Sequence, residues 1–137
     1  MNNGPMEEPP PYPAGLRLDG KRVVVVGGGA VAQRRIAGLL TSGAVVEVVS
    51  PEVTPAIEGL REVRWTAERF HPAHLAGAWY VIAATNDPEV NAAVVAAADA
   101  SRIFCVRADD AREASAWTPA VGRHEGMTVA VLGNREP

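Results

Sequence analysis

Residues 22–36, RVVVVGGGAVAQRRI, contain the stretch that determines the fold. The valines at 23–26 show no polar alternation, which is typical of a central parallel strand covered on both faces. Gly27, Gly29 and Ala32 follow that strand and open a segment with helical periodicity. In this context the Gly-x-Gly-x-x-Ala pattern predicts a turn that lets a dinucleotide pyrophosphate approach the N-terminus of a helix.

The rest of the chain alternates predicted strands with predicted helices. The expected elements are a helix at about 30–40 closed by Gly43, a strand at 45–49, a weak segment at 54–60, a short strand at 62–66, a helical turn within 70–75, a strand at 79–84, a helix at 88–100 capped by Asp87, a strand at 103–107, and two late strands at 116–123 and 127–132. This alternation predicts an α/β domain of the Rossmann type, a parallel sheet with helices on both faces. The domain is expected to occupy residues 14–137, behind a flexible proline-rich tail at 1–13.

Composition narrows the range of partners. The chain has 137 residues, 47% of them hydrophobic, and a net charge of -3, so we expect a packed domain without a basic surface for nucleic acid. No segment is long and apolar enough to span a bilayer, and the N-terminus lacks the pattern of a signal peptide, so a cytoplasmic protein without a membrane partner is expected. Cys105, the single cysteine, is predicted to be a core residue. His71 and His74 lack a third ligand nearby, so no metal site is predicted.

The residues after the second strand are candidates for contact with the adenosine ribose. Rossmann domains place an acidic residue near the end of this strand. Glu47 lies inside the predicted strand and could simply point to one face, whereas Ser50 and Glu52 lie at its end and are better placed. Residues 44–60 contain no arginine that could bind a 2′-phosphate, so NAD is favoured over NADP.

The segment VVVGGGAVAQRR at 24–35 resembles the opening of the precorrin-2 dehydrogenases, the NAD-dependent domain of the siroheme synthases. The similarity continues through AATND at 83–87 and Asn91, and again through IFCVRAD at 103–109 to Pro119. The resemblance implies oxidation of precorrin-2 to sirohydrochlorin with NAD as the hydride acceptor. Some members of the family also insert ferrous iron, which would add ferrochelatase activity.

The resemblance also implies the site residues. The NAD contacts of the family fall on Ala30 and Val31 in the glycine turn and on Pro51 and Glu52 after the second strand. Together with the residues above and with two residues that follow the fourth strand, the predicted cofactor site comprises Gly27, Gly29, Ala30, Val31, Ser50, Pro51, Glu52, Thr85 and Asn86.

The family's key aspartate falls on Asp109, just beyond the fifth strand. The carboxyl ends of the strands are also where open α/β sheets bind their ligands, so the residues alone point to the same position. Asp109 could act there as a general base, or accept pyrrole N–H protons during metal entry. Asp110 beside it is the competing candidate, and two adjacent acids can also form a solvated turn.

The family continues into a helical dimerisation region, and this chain is expected to be truncated before it. Both a monomer and a homodimer that pairs through the late strands are therefore consistent with the sequence. An NAD-binding sensing or regulatory module without catalysis is the alternative function. Binding of a tetrapyrrole would distinguish the enzyme from the sensor.

Overall fold

The apolar segments form a five-stranded parallel sheet in the computed structural model, which describes residues 9–110 and 113–133. The strands are β1 (Arg22–Val26), β2 (Val45–Val49), β3 (Arg64–Thr66), β4 (Tyr80–Ala83) and β5 (Phe104–Arg107). Their order in the sheet is β3-β2-β1-β4-β5. The chain adds β2 and β3 on one side of β1 and then returns to add β4 and β5 on the other side, as in the Rossmann fold. The predicted fold class is confirmed.

Helices connect the strands and cover both faces of the sheet. They are α1 (Ala30–Thr41), α2 (Pro55–Glu58), a 3-10 turn (Pro72–Leu75) and α3 (Pro88–Ala100). The core beneath α1 and α2 contains Val23 and Val25, and the core beneath α3 and the 3-10 turn contains Val24 and Val26. Successive strand residues point to opposite faces, so the valine run is buried at every position and needs no polar alternation.

The predicted ends of two helices are confirmed. The carboxylate of Asp87 accepts a hydrogen bond from the Glu89 N–H at 2.9 Å, and Pro88 occupies the first position of α3, where no N–H is needed. Gly43 follows the end of α1 with φ of +76°, a conformation that glycine adopts without strain.

The late strands form a hairpin outside the parallel sheet. β6 (Ala120–His124) and β7 (Met127–Val131) pair with each other in antiparallel register, and all their residues are exposed. The predicted strand at 116–123 was wrong in its first half. Ala116 makes only an isolated parallel bridge to Val106, and Pro119, which has no N–H to donate, stands between that bridge and β6.

Residues 9–13 of the predicted tail are exposed and belong to no helix or strand, and its remaining residues, 1–8, lie outside the described part of the chain. The flexibility of the tail stays a prediction. Within the described residues, no helix combines the length and hydropathy that crossing a membrane requires.

Candidate functional site

Four strands end together at one edge of the sheet, which we call the carboxyl edge. The register aligns Val26 with Val49 and with Ala83, and Ala83 with Arg107. The ladder extends past the strand ends, since the Gly27 N–H donates to the Val49 carbonyl at 3.0 Å. The segments that follow β1, β2, β4 and β5 therefore lie side by side. These segments contain every site residue predicted from the sequence.

Gly27 is required by the way the turn after β1 passes the end of β4. Its φ is +127°, a value that L side chains rarely adopt. A Cβ at this position would overlap the Ala84 carbonyl oxygen and lie 2.6 Å from the carbonyl carbon. The expected role of Gly27 in a tight turn agrees with this geometry.

Gly28 is equally constrained, although the Gly-x-Gly-x-x-Ala pattern accepts any residue at this position. A Cβ there would overlap the Glu52 carbonyl oxygen and lie 2.8 Å from Val53 Cγ1. The Gly28 carbonyl also accepts the Thr54 N–H at 2.9 Å, and the Thr54 hydroxyl donates to Gln33 Oε1 at 2.9 Å. These contacts fix the loop after β2 against the glycine turn. Sequence reasoning missed this role, and the middle glycine of the GGG run was the signal that could have indicated it.

The N-terminus of α1 fits a bound anion. Its N-cap residue, Gly29, provides no side-chain cap, and the first turn contains no acidic residue. A Cβ on Gly29 would meet no described atom within 4 Å, and Ala30 and Val31 beside it are exposed. The N–H groups of this turn and the positive end of the helix dipole therefore suit a pyrophosphate. These residues fit a dinucleotide such as NAD.

The loop after β2 presents the acidic group predicted for the ribose. The Ser50 hydroxyl donates to the Glu52 carbonyl at 2.6 Å, and the Trp65 indole N–H donates to the Ser50 carbonyl at 2.9 Å. Ser50 therefore shapes the loop through its own hydroxyl and carbonyl. Pro51 and Glu52 are exposed, so the Glu52 carboxylate is accessible at the carboxyl edge.

Glu47, the alternative acid, pairs with side chains of the two neighbouring strands. It forms an ion pair with Arg22 and accepts the Thr66 hydroxyl at 2.5 Å, and its side chain is 14% exposed. Burial raises the pKa of Glu47, but the hydrogen bond from Thr66 and the charges of Arg22 and Arg64 outweigh it, so the pKa lies below its usual value. The preference for the strand end over Glu47 is consistent with this pairing.

The turn between β4 and α3 is held by a buried amide. Asn91, whose side chain is fully buried, accepts hydrogen bonds from the Thr85 N–H at 3.1 Å and the Thr85 hydroxyl at 2.7 Å. Its amide donates to the Thr85 carbonyl at 3.0 Å. Thr85 is half-buried and Asn86 is exposed at the carboxyl edge. The sequence identified Asn91 only as part of the family resemblance.

Asp109 follows β5 and forms a two-point ion pair. Arg107 Nε donates to one carboxylate oxygen at 2.6 Å, and Nη2 donates to the other at 3.2 Å. The same Nη2 donates to the Pro88 carbonyl at 3.2 Å. The hydrogen bond from Arg107, together with its charge, outweighs burial and holds the pKa of Asp109 below its usual value. Asp109 is therefore ionised at neutral pH.

The two histidines cap the 3-10 turn. His71 Nδ1 accepts the Ala73 N–H at 3.1 Å, His74 Nδ1 accepts the His71 N–H at 2.9 Å, and His74 Nε2 lies 3.1 Å from Glu68 Oε1. In the described ranges 9–110 and 113–133, no group of three or more His, Cys, Asp or Glu side chains could hold a metal ion. Cys105 is buried, and burial raises the pKa of its thiol to about 11, as expected for a core residue.

Comparison with known proteins agrees with this geometry. The family model described as putative NAD(P)-binding matches residues 15–120. Siroheme synthase 1 of Aeromonas salmonicida is 41% identical over 129 residues, which cover 91% of this chain and 28% of that protein. Siroheme synthase of Chromobacterium violaceum is 39% identical over 123 residues, which cover 88% and 26%. The solved structure of SirC, precorrin-2 dehydrogenase, matches with a TM-score of 0.74 and 28% identity, over 92% of this chain and 64% of that one.

The fold and the glycine turn define a Rossmann-type dinucleotide-binding domain. The chain belongs to the NAD(P)-binding family whose model it matches. The predicted relationship to the siroheme synthases and precorrin-2 dehydrogenases is confirmed, and so is NAD as the predicted cofactor. The chain spans about a quarter of the length of the siroheme synthases it matches (28% and 26%).

Proposed function

We propose that this chain binds NAD at the carboxyl edge and oxidises precorrin-2 to sirohydrochlorin. The main support is that an ionised carboxylate, Asp109, lies at the same edge as the open N-terminus of α1. Only β4 stands between β1 and β5, so the two strands lie about 10 Å apart. A cofactor on the glycine turn and a substrate over β5 could therefore be neighbours. The similarity to SirC, precorrin-2 dehydrogenase, suggests the substrate.

Three segments would hold the NAD. The N–H groups of Gly29, Ala30 and Val31 would bind the pyrophosphate, and the Glu52 carboxylate would accept hydrogen bonds from the adenosine ribose. The turn at 85–86 borders the glycine turn through the contact between Gly27 and Ala84 and would contact the rest of the cofactor. When bound there, NAD would accept the hydride from the substrate.

Asp109 would act on the substrate. Oxidation of precorrin-2 removes a hydride and a proton, and Asp109, which is already ionised, would accept the proton as a general base. The pairing with Arg107 makes it a weak base, so the proton would pass on to water readily. Its negative charge would also stabilise the positive charge that develops on the macrocycle as the hydride leaves.

Turnover of precorrin-2 with NAD, followed by NADH absorbance, tests this proposal. We expect Asp109→Ala to lower kcat by about a hundredfold while the Kd for NAD, measured by calorimetry, stays unchanged. Asp99→Ala, which removes an exposed acid at the end of α3, is the matched control and should retain full activity. Asp110→Ala separates the two neighbouring acids. Full activity of Asp109→Ala would refute the catalytic role.

Titrations with NAD and with the tetrapyrrole distinguish the enzyme from a sensing module. A sensing module would bind NAD but neither bind nor oxidise the tetrapyrrole, and that result would replace the enzymatic proposal. Incubation of sirohydrochlorin with ferrous iron tests the additional chelatase activity, in which Asp109 would accept the pyrrole protons. Loss of iron insertion in Asp109→Ala is the outcome expected if one site performs both reactions.

We also propose that the hairpin of β6 and β7 pairs two copies of the chain. A lone two-stranded hairpin is marginally stable in water, and this one exposes Met127, Val129 and Val131 on one face of β7 (66%, 54% and 63%). Sedimentation equilibrium of Val129→Arg should show a monomer. Thr128→Arg, on the opposite face of the same strand, is the control and should stay dimeric. A monomeric wild-type protein would refute the homodimer.

A further inference from the structure

Asp109 lies just beyond the part of the chain that the parallel sheet holds in place. The ladder between β4 and β5 continues to the Ala108 N–H, which donates to the Ala83 carbonyl at 2.9 Å. Asp109 follows and belongs to no strand or helix. A carboxylate that takes a proton from a substrate must stay in one orientation relative to it. That orientation therefore depends on what the carboxylate itself contacts.

Arg107 holds this carboxylate at two points. Its Nε donates to one Asp109 oxygen at 2.6 Å, and its Nη2 donates to the other at 3.2 Å. A planar guanidinium that binds both oxygens defines the plane of the carboxylate as well as its place, which a single hydrogen bond does not. The Arg107 side chain is 10% exposed and the Asp109 side chain 31%. The ion pair is thus shielded on the arginine side and accessible on the aspartate side.

The guanidinium is fixed in turn by the start of α3. The same Nη2 donates to the carbonyl of Pro88, the first residue of this helix, at 3.2 Å. The backbone of Arg107 ends β5, in register with Ala83 of β4. The Arg107 side chain therefore runs from the end of a strand to the start of a helix, and the Asp109 carboxylate is attached to both through it.

This arrangement also distinguishes the two adjacent acids. Residues two apart on an extended chain lie on the same side, so Asp109 is better placed than Asp110 to meet the Arg107 side chain. The charges of Asp110 and Glu113 also act on Arg107, whereas α3 contributes an uncharged carbonyl. The two-point ion pair is made with Asp109. Its geometry favours Asp109 over Asp110, a choice that the sequence leaves open.

We propose that Arg107 is a positioning residue, which holds the Asp109 carboxylate in the orientation that meets the substrate. The kinetic consequence rests on the proposed function, in which Asp109 is the general base. The hold on the carboxylate can be tested without turnover.

Arg107→Met separates orientation from basicity, because the two effects change kcat in opposite directions. Methionine keeps an unbranched side chain but donates no hydrogen bond. The pKa of Asp109 should rise towards its usual value of 3.8, measured by carbon-13 NMR of the carboxyl group, and the acidic limb of the kcat–pH profile should move with it. A stronger base alone would not lower kcat at neutral pH. We expect kcat to fall about tenfold, with the Kd for NAD unchanged, because the carboxylate is no longer held in one orientation.

Arg107→Lys separates the charge from the two-point geometry. A lysine ammonium keeps the positive charge but lacks the planar pair of N–H groups that matches a carboxylate. The pKa of Asp109 should therefore stay below its usual value, while kcat should still be about tenfold below that of the wild type. This variant also replaces Arg107→Met if circular dichroism shows that the methionine variant does not fold. Arg61→Met, which removes an exposed arginine before β3, is the matched control and should keep the wild-type kcat and Asp109 pKa.

The positioning role and the proposed function fail on different results. Wild-type kcat in a folded Arg107→Met protein, or in Arg107→Lys, would overturn the positioning role and keep the enzyme. A wild-type protein that binds NAD but does not oxidise precorrin-2 refutes the proposed function. In that case crystal structures of the wild type and Arg107→Met decide the remaining question, since an Asp109 carboxylate that keeps its orientation without Arg107 would overturn the hold that we propose.

Discussion

Adjacent glycines in the turn after β1 should have separable roles. Gly28→Ala places a Cβ against backbone, overlapping the Glu52 carbonyl oxygen and 2.9 Å from Val53 Cα. Gly29→Ala places a Cβ where no described atom lies within 4 Å. We therefore expect the first substitution to affect the fold and the second to affect only what binds above the turn.

The structure allows the magnitudes to be worked out. Overpacking costs about 1–3 kcal/mol, and backbone cannot rotate away as a side chain can, so Gly28→Ala should reach the upper end of this range. Gly29 has φ of -92° and ψ of -162°, which alanine adopts without strain. The free energy of unfolding of Gly29→Ala should therefore stay within about 1 kcal/mol of the wild type. Its Kd for NAD should rise about tenfold, since the Cβ would lie where the pyrophosphate is proposed to approach.

Urea unfolding of both variants, with calorimetric titration of NAD, provides the assay. Gly29→Ala serves as the control for Gly28→Ala, because each adds one methyl group to the same turn. Two results would refute the reasoning. One is a Gly29→Ala protein that binds NAD as the wild type does, and the other is a Gly28→Ala protein of wild-type stability.

Other consequences follow from single residues. Glu47→Gln should lower the free energy of unfolding by about 1–3 kcal/mol near neutral pH. Since the pKa of Glu47 is lowered by folding, its stabilisation is complete above the usual value of 4.5 and is lost as the pH falls through the folded-state pKa. The difference from the wild type should therefore shrink in acid-titrated urea curves, whereas the exposed Glu62→Gln should match the wild type throughout. Cys105, whose pKa burial raises to about 11, should not react with a disulfide reagent at neutral pH and should react fully in guanidinium, so a fast native reaction would contradict its burial. Ser115→Ala removes the acceptor of the Cys105 N–H (2.8 Å), and should cost about 1 kcal/mol and speed amide exchange at Cys105; unchanged exchange would show that this bond does not protect the edge of β5.

The sequence was sufficient for the fold because its signals are local and repeated. A valine run without polar alternation is typical of a strand buried on both faces, and its alternation with helical segments favours a parallel sheet covered by helices. The cap at Asp87 and the glycine at 43 fixed two helix ends for reasons confined to a few residues. The strand expected at 116–123 shows the limit, because apolar residues around Pro119 carry the composition of a strand without the N–H needed to continue one.

The site was predictable only where one residue carries the signal. Asp109 follows a strand in the sequence, so its position at the carboxyl edge could be expected. The need for glycine at position 28 comes from Glu52 and Val53, more than twenty residues away, which no local pattern contains. The structural role of Asn91 likewise depends on Thr85, which lies outside α3, and a lone asparagine in a helical segment does not reveal that partner.

These long-range contacts divide the carboxyl edge into two pairs of segments. Gly28 joins the turn after β1 to the loop after β2, and that pair contains the open helix N-terminus and the exposed carboxylate of Glu52. Arg107 ties Asp109 to the Pro88 carbonyl, just after the turn that follows β4, and that pair contains the ionised acid. The two pairs meet where Gly27 packs on Ala84, between β1 and β4. Dinucleotide affinity should therefore respond mainly to the first pair, which contains the proposed pyrophosphate and ribose contacts, and turnover mainly to the second, which contains Asp109.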